Sequence, residues 1–326
     1  MGQIFASVLA GLLQISLFAL IAPALLGGKR WIKARLQRRP GPLPWQVYLD
    51  LFKLLRIHVK KQPEPTSWVF AIAPFTAFMC YALLAWAAPP FLYSGITLDI
   101  VTVVFLLGLA RFILALAGMD TGTPFGGMGS SREMFINVLA EPLLVLIILT
   151  LTLQHQTTST GLIITSFPYF SPDTFVFSFA ALLFLWPALA FIALMDNGLL
   201  PVDNPSTLLE LTMIQKGLHL EYSGRNLALI EWGEAMRLTF FLTLLGDLLI
   251  PRSISDFSDL PLSILGLPVY VVKLLLGIGL LALYQITQIK LRLRWVVKPW
   301  ITMLFLSAAA TSLAVISIIQ LPSGGK

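Results

Sequence analysis

Apolar residues along this chain come in long unbroken blocks, without the 3.6- or two-residue alternation of a helix or strand that faces water on one side. Eight such blocks run at about 4–26, 68–88, 98–117, 135–153, 175–195, 234–250, 265–289 and 300–321. A helix needs roughly 20 apolar residues to cross a hydrocarbon layer about 30 Å thick. Most blocks meet that length, and the sixth is the shortest. Barrel strands would alternate over roughly 10 residues. The pattern therefore predicts an all-α, polytopic membrane protein with eight transmembrane helices forming a single membrane domain over 1–326. The first block does not look like a cleavable signal, because it lacks a basic leading segment and a small-residue cleavage box and is too long.

Composition agrees with this. The chain has 326 residues, of which 57% are hydrophobic and 12% charged, and its mean hydropathy is +0.85. A soluble domain carries about 25% charged residues, so a water-soluble two-domain architecture is excluded. The net charge of +6 acquires meaning only from its placement. Lys29, Arg30, Lys33, Arg35, Arg38, Arg39, Lys53, Arg56, Lys60 and Lys61 lie between blocks one and two. Arg132, Lys216, Arg225, Lys290, Arg292, Arg294 and Lys298 lie between later odd–even pairs, whereas the alternate loops hold only Arg252. Under the positive-inside rule this puts both termini on the outer (periplasmic) face of an inner (plasma) membrane. It also gives no reason to expect nucleic acid as a partner. A single cysteine, Cys80, precludes an internal disulfide or thiolate cluster, and His58, His155 and His219 are far apart, so no metal is expected in this chain.

The basic inner loop over 29–66 has internal structure. Gln37-Arg38-Arg39-Pro40-Gly41-Pro42 is followed by Asp50, Lys53, Arg56 and Lys60 at helical spacing, with Val47, Tyr48, Leu51, Phe52 and Leu55 opposite. This predicts an amphipathic helix able to lie in the interface with its basic side toward lipid headgroups. A loop that merely fixes topology explains the charge but not the turn.

Ionisable residues inside blocks are costly, at least about 2.5 kcal/mol each on insertion scales. Arg111, Glu141, Arg237, Asp247 and Lys273 are of this kind. They are expected to face one another or a hydrated cavity, although Arg111 and Asp247, near block ends, could snorkel. A second inner loop, over 196–233, collects Asp196, Asp203, Glu210, Glu221 and Glu231, and Glu234 follows at the start of block six. Carboxylates among apolar side chains exchange protons nearer neutral pH. Glu231 and Glu234, one turn apart, lead from this loop into the bilayer.

These residues resemble a known family. The Gln37-to-Pro42 loop with Asp50 and Lys53 looks like the signature of subunit 1 of respiratory complex I. Asp120-Thr121-Gly122, Phe125-Gly126-Gly127-Met128-Gly129-Ser130-Ser131-Arg132-Glu133, Leu209-Glu210-Leu211 and Leu220-Glu221-Tyr222-Ser223-Gly224 are similar to its branch in membrane-bound [NiFe] hydrogenases and formate hydrogenlyase (subunit 4). Arg132 and Glu141 match an Arg and an intramembrane Glu of both branches.

The resemblance implies a non-catalytic membrane-arm subunit of a multisubunit oxidoreductase. It would dock a peripheral electron-transfer arm of hydrogenase-like large and small subunits, adjoin antiporter-like membrane subunits and couple to proton (or sodium) translocation. It further implies a proton path through Glu141, Glu210, Glu221, Glu231, Glu234, Asp203 and Lys273, and a peripheral-arm interface at Arg38, Arg39, Asp50, Lys53 and Arg132. No cofactor belongs to this chain on that reading: iron–sulfur clusters and a nickel–iron centre belong to partner subunits. Three positions depart from the family pattern, with Leu199 in place of an Arg, Leu208 of a His and Gln285 of a Glu, and a carboxamide cannot carry a proton. A quinone-binding subunit of an NADH dehydrogenase-like complex and a non-pumping membrane anchor remain open alternatives. A lone secondary transporter would show internal repeats, and none is visible.

Overall fold

A computed structural model describes residues 2–57, 66–88, 92–93, 97–166, 175–200, 214–249, 255–256, 260–288 and 293–320. The helices are α1 (Gly2–Leu36), α2 (Gln46–Arg56), α3 (Trp68–Ala87), α4 (Ile100–Asp120), α5 (Pro124–His155), α6 (Thr160–Ser166), α7 (Phe175–Asp196), α8 (Gln215–His219), α9 (Gly224–Leu249), α10 (Leu260–Thr287) and α11 (Val297–Gln320). Seven of them, α1, α3, α4, α5, α7, α10 and α11, are long and apolar enough to cross a membrane. The protein is an all-helical, multi-pass membrane protein.

The sixth block behaves differently from the rest. Its helix, α9, begins at Gly224 and is 26 residues long, about 39 Å at 1.5 Å per residue. It is long enough to span, but Glu231, Glu234, Arg237 and Asp247 make it too polar to count as an apolar span. Its ends are fixed by contacts. Near its start, Ala228 packs on Val47 and Leu51 of α2. Beyond its end, a two-residue strand (Ser255–Asp256) pairs in parallel with Leu92–Tyr93, which follows α3. Asp99, preceding α4, bridges to Ser159, which follows α5. The segments leaving α3, α5 and α9 therefore share one end of the bundle, and α9 traverses it from the other.

Close backbone approach explains the glycine motifs. A Cβ on Gly126 would strike the Gly118 carbonyl, and one on Gly118 would come within 2.6 Å of Ser130 Oγ. Only glycine lets α4 and α5 close this tightly, and Ser130 ties them by donating to the Ala115 carbonyl at 2.9 Å. Gly129 similarly makes room for α8, since its Cβ would lie 3.2 Å from the Ile214 carbonyl. Asp120 joins helix ends by accepting from the Ser67 backbone N–H and hydroxyl at 2.6 and 2.9 Å. The signature loop after α1 folds back the same way, with the Pro44 carbonyl against Gly27.

Two helices end in the same cap. At α1, Arg39 N–H donates to the Ala34 carbonyl and Arg38 N–H to that of Arg35, at 2.9 and 3.0 Å, with Arg38 at φ +55°. At α7, Leu199 reaches Leu194 and Gly198 reaches Met195, at 2.9 and 3.2 Å, with Gly198 at φ +58°. Both are Schellman motifs, in which a left-handed residue satisfies the last carbonyls. The Asn197-Gly198-Leu199 run, with its departure at Leu199, thus builds a helix stop, and it leaves Asp196 on the last turn of α7. Indole N–H groups tie helices across the bundle, from Trp232 to the Ala19 carbonyl at 2.8 Å and from Trp300 to that of Leu139 at 2.6 Å.

Candidate functional site: a buried charged cluster

Four elements deliver charge to one place inside the apolar bundle. Arg111 (α4) donates from Nη1 to Asp196 Oδ1 (α7) at 2.7 Å and to Asn137 Oδ1 (α5) at 3.3 Å. The pair is sealed, with side chains 2% and 0% exposed. Arg237 (α9) donates to the Tyr81 hydroxyl at 3.0 Å and to Gln215 Oε1 (α8) at 3.3 Å. Gln215 passes the link on, donating from Nε2 to the Asp196 carbonyl at 2.8 Å and to Glu133 Oε1 (α5) at 3.4 Å. Two arginines and three carboxylates (Glu133, Asp196, Glu234) are thus gathered where isolated charges would be prohibitively costly.

The short helix α8 covers this cluster. Lys216 Nζ donates to Glu234 Oε2 at 3.3 Å, and His219 Nδ1 lies 3.3 Å from the same carboxylate's Oε1. The Glu234 charge raises the Lys216 pKa. Burial depresses that of His219 to about 4 against the opposing pull of Glu234, so its ring is neutral near pH 7. A cavity of about 10 Å³ touches Arg111, Glu133, Gln215, His219, Glu234 and Arg237. That is about the volume one water centre requires. Arg111 Nη2, Glu133 Oε2, His219 Nδ1 and Arg237 Nε are buried without a hydrogen-bond partner. Orphaned buried groups of this kind are rare and point to strain, hydration or function.

A second buried pair stands apart. Lys273 Nζ (α10) donates to Asp247 Oδ1 (α9) at 3.0 Å, with side chains 4% and 0% exposed. One turn earlier on α9, Thr243 shares a 3.0 Å hydrogen bond with the Tyr270 hydroxyl. Beside this pair, α7, α9 and α10 enclose an apolar groove of about 430 Å³, with Lys273 and Tyr284 among its lining residues.

The expected site residues fall into groups. Glu234 joins the cluster, and Arg111, Asp196 and Arg237 join it too. Arg111 does not snorkel, and neither does Asp247: both are fully enclosed. Lys273 meets Asp247. Glu231 is half-buried on α9, and Glu221 is half-buried in the turn before it. Glu141, by contrast, points outward from α5, where no other intramembrane charge of this chain meets it among the described residues. Arg38, Arg39 and Lys53 are exposed, while Asp50 and Arg132 are half-buried, all at the end of the bundle where α2 lies. On α2, Val47 and Leu51 turn inward, and Phe52 is exposed. Asp203 and Glu210, like Leu208, Lys60 and Lys61, lie outside the described residues. Gln285 accepts a hydrogen bond from Lys33 at 3.4 Å.

Glu133, Asn137, Gln215, His219 and Tyr81 escape the sequence reading as site residues. A signal existed for two of them. Gly126, Ser130, Glu133 and Asn137 recur at four, three and four along α5, a small-to-polar stripe on one helix face. Nothing in the local sequence marks Gln215 or His219. Among the described residues, no three His, Cys, Asp or Glu side chains converge as metal ligands.

Comparison with known proteins places the chain. The family model described as NADH dehydrogenase matches residues 9–316. Hydrogenase-4 component C of Escherichia coli (strain K12) is 33% identical over 279 residues, 82% of this chain and 84% of that protein. Formate hydrogenlyase subunit 4 of the same strain is 32% identical over 295 residues, 88% and 92% of the two chains. Among solved structures, a chain of the membrane-bound sulfane sulfur reductase (MBS), an archaeal respiratory membrane complex, superposes with a TM-score of 0.76 at 17% identity, covering 95% of this chain and 99% of that one. That likeness speaks to fold. The family match runs through nearly the whole chain and is joined by two relatives above 30% identity, so the protein belongs to the NADH dehydrogenase subunit 1 family.

Proposed function

We propose that this chain is the membrane-arm subunit of a complex I-like, hydrogenase-type redox complex that seats a peripheral electron-transfer arm and relays protons (or sodium ions) into the membrane arm. The observation that carries this reading is the charged cluster around Glu133, Asp196 and Glu234. Its carboxylates and orphaned polar atoms would only cost stability in a passive anchor. The kinship with hydrogenase-4 component C and formate hydrogenlyase subunit 4 supports hydrogenase-like large and small subunits as the partners, with antiporter-like subunits alongside in the membrane. Iron–sulfur clusters and a nickel–iron centre would sit in those partners.

The eight-span topology follows if α9 crosses the membrane as it crosses the bundle, with the basic end, inside, facing the peripheral arm. Arg38, Arg39, Lys53 and Arg132, with Asp50, would meet that arm. Glu221 and Glu231 would border the entrance, Asp203 and Glu210 would belong to the same acidic segment, and Lys273 would extend the route with Asp247. Glu141, facing away from this chain's core, would hand the ion to a neighbouring membrane subunit. The test is Glu133→Gln and Glu234→Gln in the assembled complex in proteoliposomes. The expected result is a loss of protons moved per electron of at least tenfold. An unchanged ratio in both leaves a non-pumping anchor.

One observation favours a second reading. The groove between α7, α9 and α10 falls within the 300–1,000 Å³ of ordinary ligand pockets, and its apolar walls with Lys273 and Tyr284 suit a quinone. Binding of a short-chain quinone analogue that Lys273→Met abolishes would favour it. Saturable binding that ignores the substitution would count against it.

A further inference from the structure

Side-chain exposure falls in steps from the basic end of the bundle toward the cluster. The Lys216 side chain is 42% exposed, that of Glu234 19% and that of His219 5%, and Glu133 is buried like His219. Consecutive members are in reach: Lys216 and His219 each approach Glu234 to 3.3 Å, and His219 and Glu133 border the same water-sized cavity. The chemistry of that cavity's lining narrows the choice of carrier. Arg111 and Arg237 stay charged at any relevant pH and cannot give up a proton. The Gln215 amide has no titratable proton. Between the carboxylates of Glu234 and Glu133, an imidazole is the group that can accept a proton on one nitrogen and release one from the other.

We infer that His219 is the proton carrier between Glu234 and Glu133, an assignment that rests on the proton-relay reading above. In the step, the Oε1–H bond of protonated Glu234 breaks and an N–H bond forms at His219 Nδ1, leaving a carboxylate beside an imidazolium. The imidazolium Nε2–H bond then breaks and an O–H bond forms, through the cavity, at Glu133 Oε2, which is buried without a hydrogen-bond partner; the ring is left protonated on Nδ1 and shifts back to the Nε2–H tautomer before the next proton. The ring returns to neutral, and one proton has moved inward. The charged groups around the ring set its resting state. Burial, the largest influence, opposes the imidazolium, as do Lys216 (α8) and Arg237 (α9), and only Glu234 (α9) favours it. A ring that is neutral at rest and charged only in transit does not trap the proton. Lys216, held on the exposed side of Glu234, keeps a cation at the entrance.

The test uses the assembled complex in proteoliposomes, driven by reduced methyl viologen, with an internal pH dye. His219→Asn keeps a polar group near Nδ1 and His219→Gln one near Nε2. Both side chains are smaller than imidazole, so neither overfills the site. Each is expected to lower protons moved per electron at least tenfold, the same loss expected of Glu133→Gln and Glu234→Gln. Normal stoichiometry in either histidine variant, with loss in both carboxylate variants, overturns the carrier and leaves the relay reading standing. Normal stoichiometry in all four overturns both. Should neither histidine variant assemble, the unmutated complex labelled with ¹⁵N-histidine decides. Turnover-induced infrared difference spectra should show an isotope-shifted imidazole band that is lost in Glu234→Gln, which a purely structural histidine would not produce. Absence of that band overturns the assignment.

Discussion

The Asp247–Lys273 pair permits a sharp energetic test because it stands apart from the main cluster. Its side chains are 0% and 4% exposed and 3.0 Å apart. Removing one partner of such a buried pair costs about 3–5 kcal/mol, because the other charge is left uncompensated. Replacing both by apolar side chains of similar volume removes the desolvation penalty along with the attraction and is often neutral or stabilising. Asp247→Leu should therefore lower stability by about 3 kcal/mol or more, and Lys273→Met by a similar or smaller amount. The smaller cost reflects a choice open to the stranded carboxyl, which can take up a proton at about 1.4 kcal/mol per pH unit between its pKa and the ambient pH. The double variant should recover most of the loss, so the coupling energy should exceed about 3 kcal/mol, the scale of either single loss. Equilibrium denaturation in mixed detergent–SDS micelles measures all four corners of the cycle. The reasoning is refuted if the double variant loses as much as the two single variants added together. Protons moved per electron in the double variant then separate a brace from a relay, since two apolar side chains can do only the first job.

Three further predictions use the same structure. Gly126→Ala should destabilise by about 2–3 kcal/mol or more through overlap with the Gly118 carbonyl. Gly127→Ala, with nothing within 4 Å of its Cβ, should gain about 0.5–1 kcal/mol of helix stability; thermal melts of the two compare them directly. Because burial holds the His219 pKa near 4 against an ordinary 6.5, its contribution to stability is complete above pH 6.5 and is lost as pH falls toward and through 4. The loss amounts to about 1.4 kcal/mol at pH 5.5, so the melting temperature should fall over that window, less steeply in His219→Gln. Finally, Gln285→Glu should turn the Lys33 hydrogen bond of 3.4 Å into an ion pair and stabilise by about 0.2–1 kcal/mol. A cycle with Lys33→Met should abolish the gain.

How much could be read in advance depended on the range of the signal. Membrane spans are set by local solvent preference, so the apolar blocks and the amphipathic helix α2 were visible from residue pattern alone. Seven of the eight expected spans are apolar enough to cross a membrane, and the extents differ: α5 starts at Pro124 and α9 at Gly224, because glycine-mediated packing and the α2 contact extend helices beyond their apolar cores. The chemistry was only partly legible. A lone Arg or Asp in a greasy stretch announces that it needs a partner, but its own sequence does not say which. Arg111 finds Asp196 and Lys273 finds Asp247, whereas Glu141, equally conspicuous, turns away from this chain.

By itself the sequence determined the solvent of this protein, its helical class, its basic end and its family, because each is written in composition, runs of residues or short motifs. The tertiary structure alone decided which charges meet. Gln215 and His219 look ordinary in a five-residue helix, and Glu133 ends a glycine motif. They become a site only because Gly118, Gly126 and Gly129 let three backbones close and bring α8 onto the Glu234 turn of α9. Long-range electrostatic pairing is fixed by packing geometry, and packing geometry has no local code.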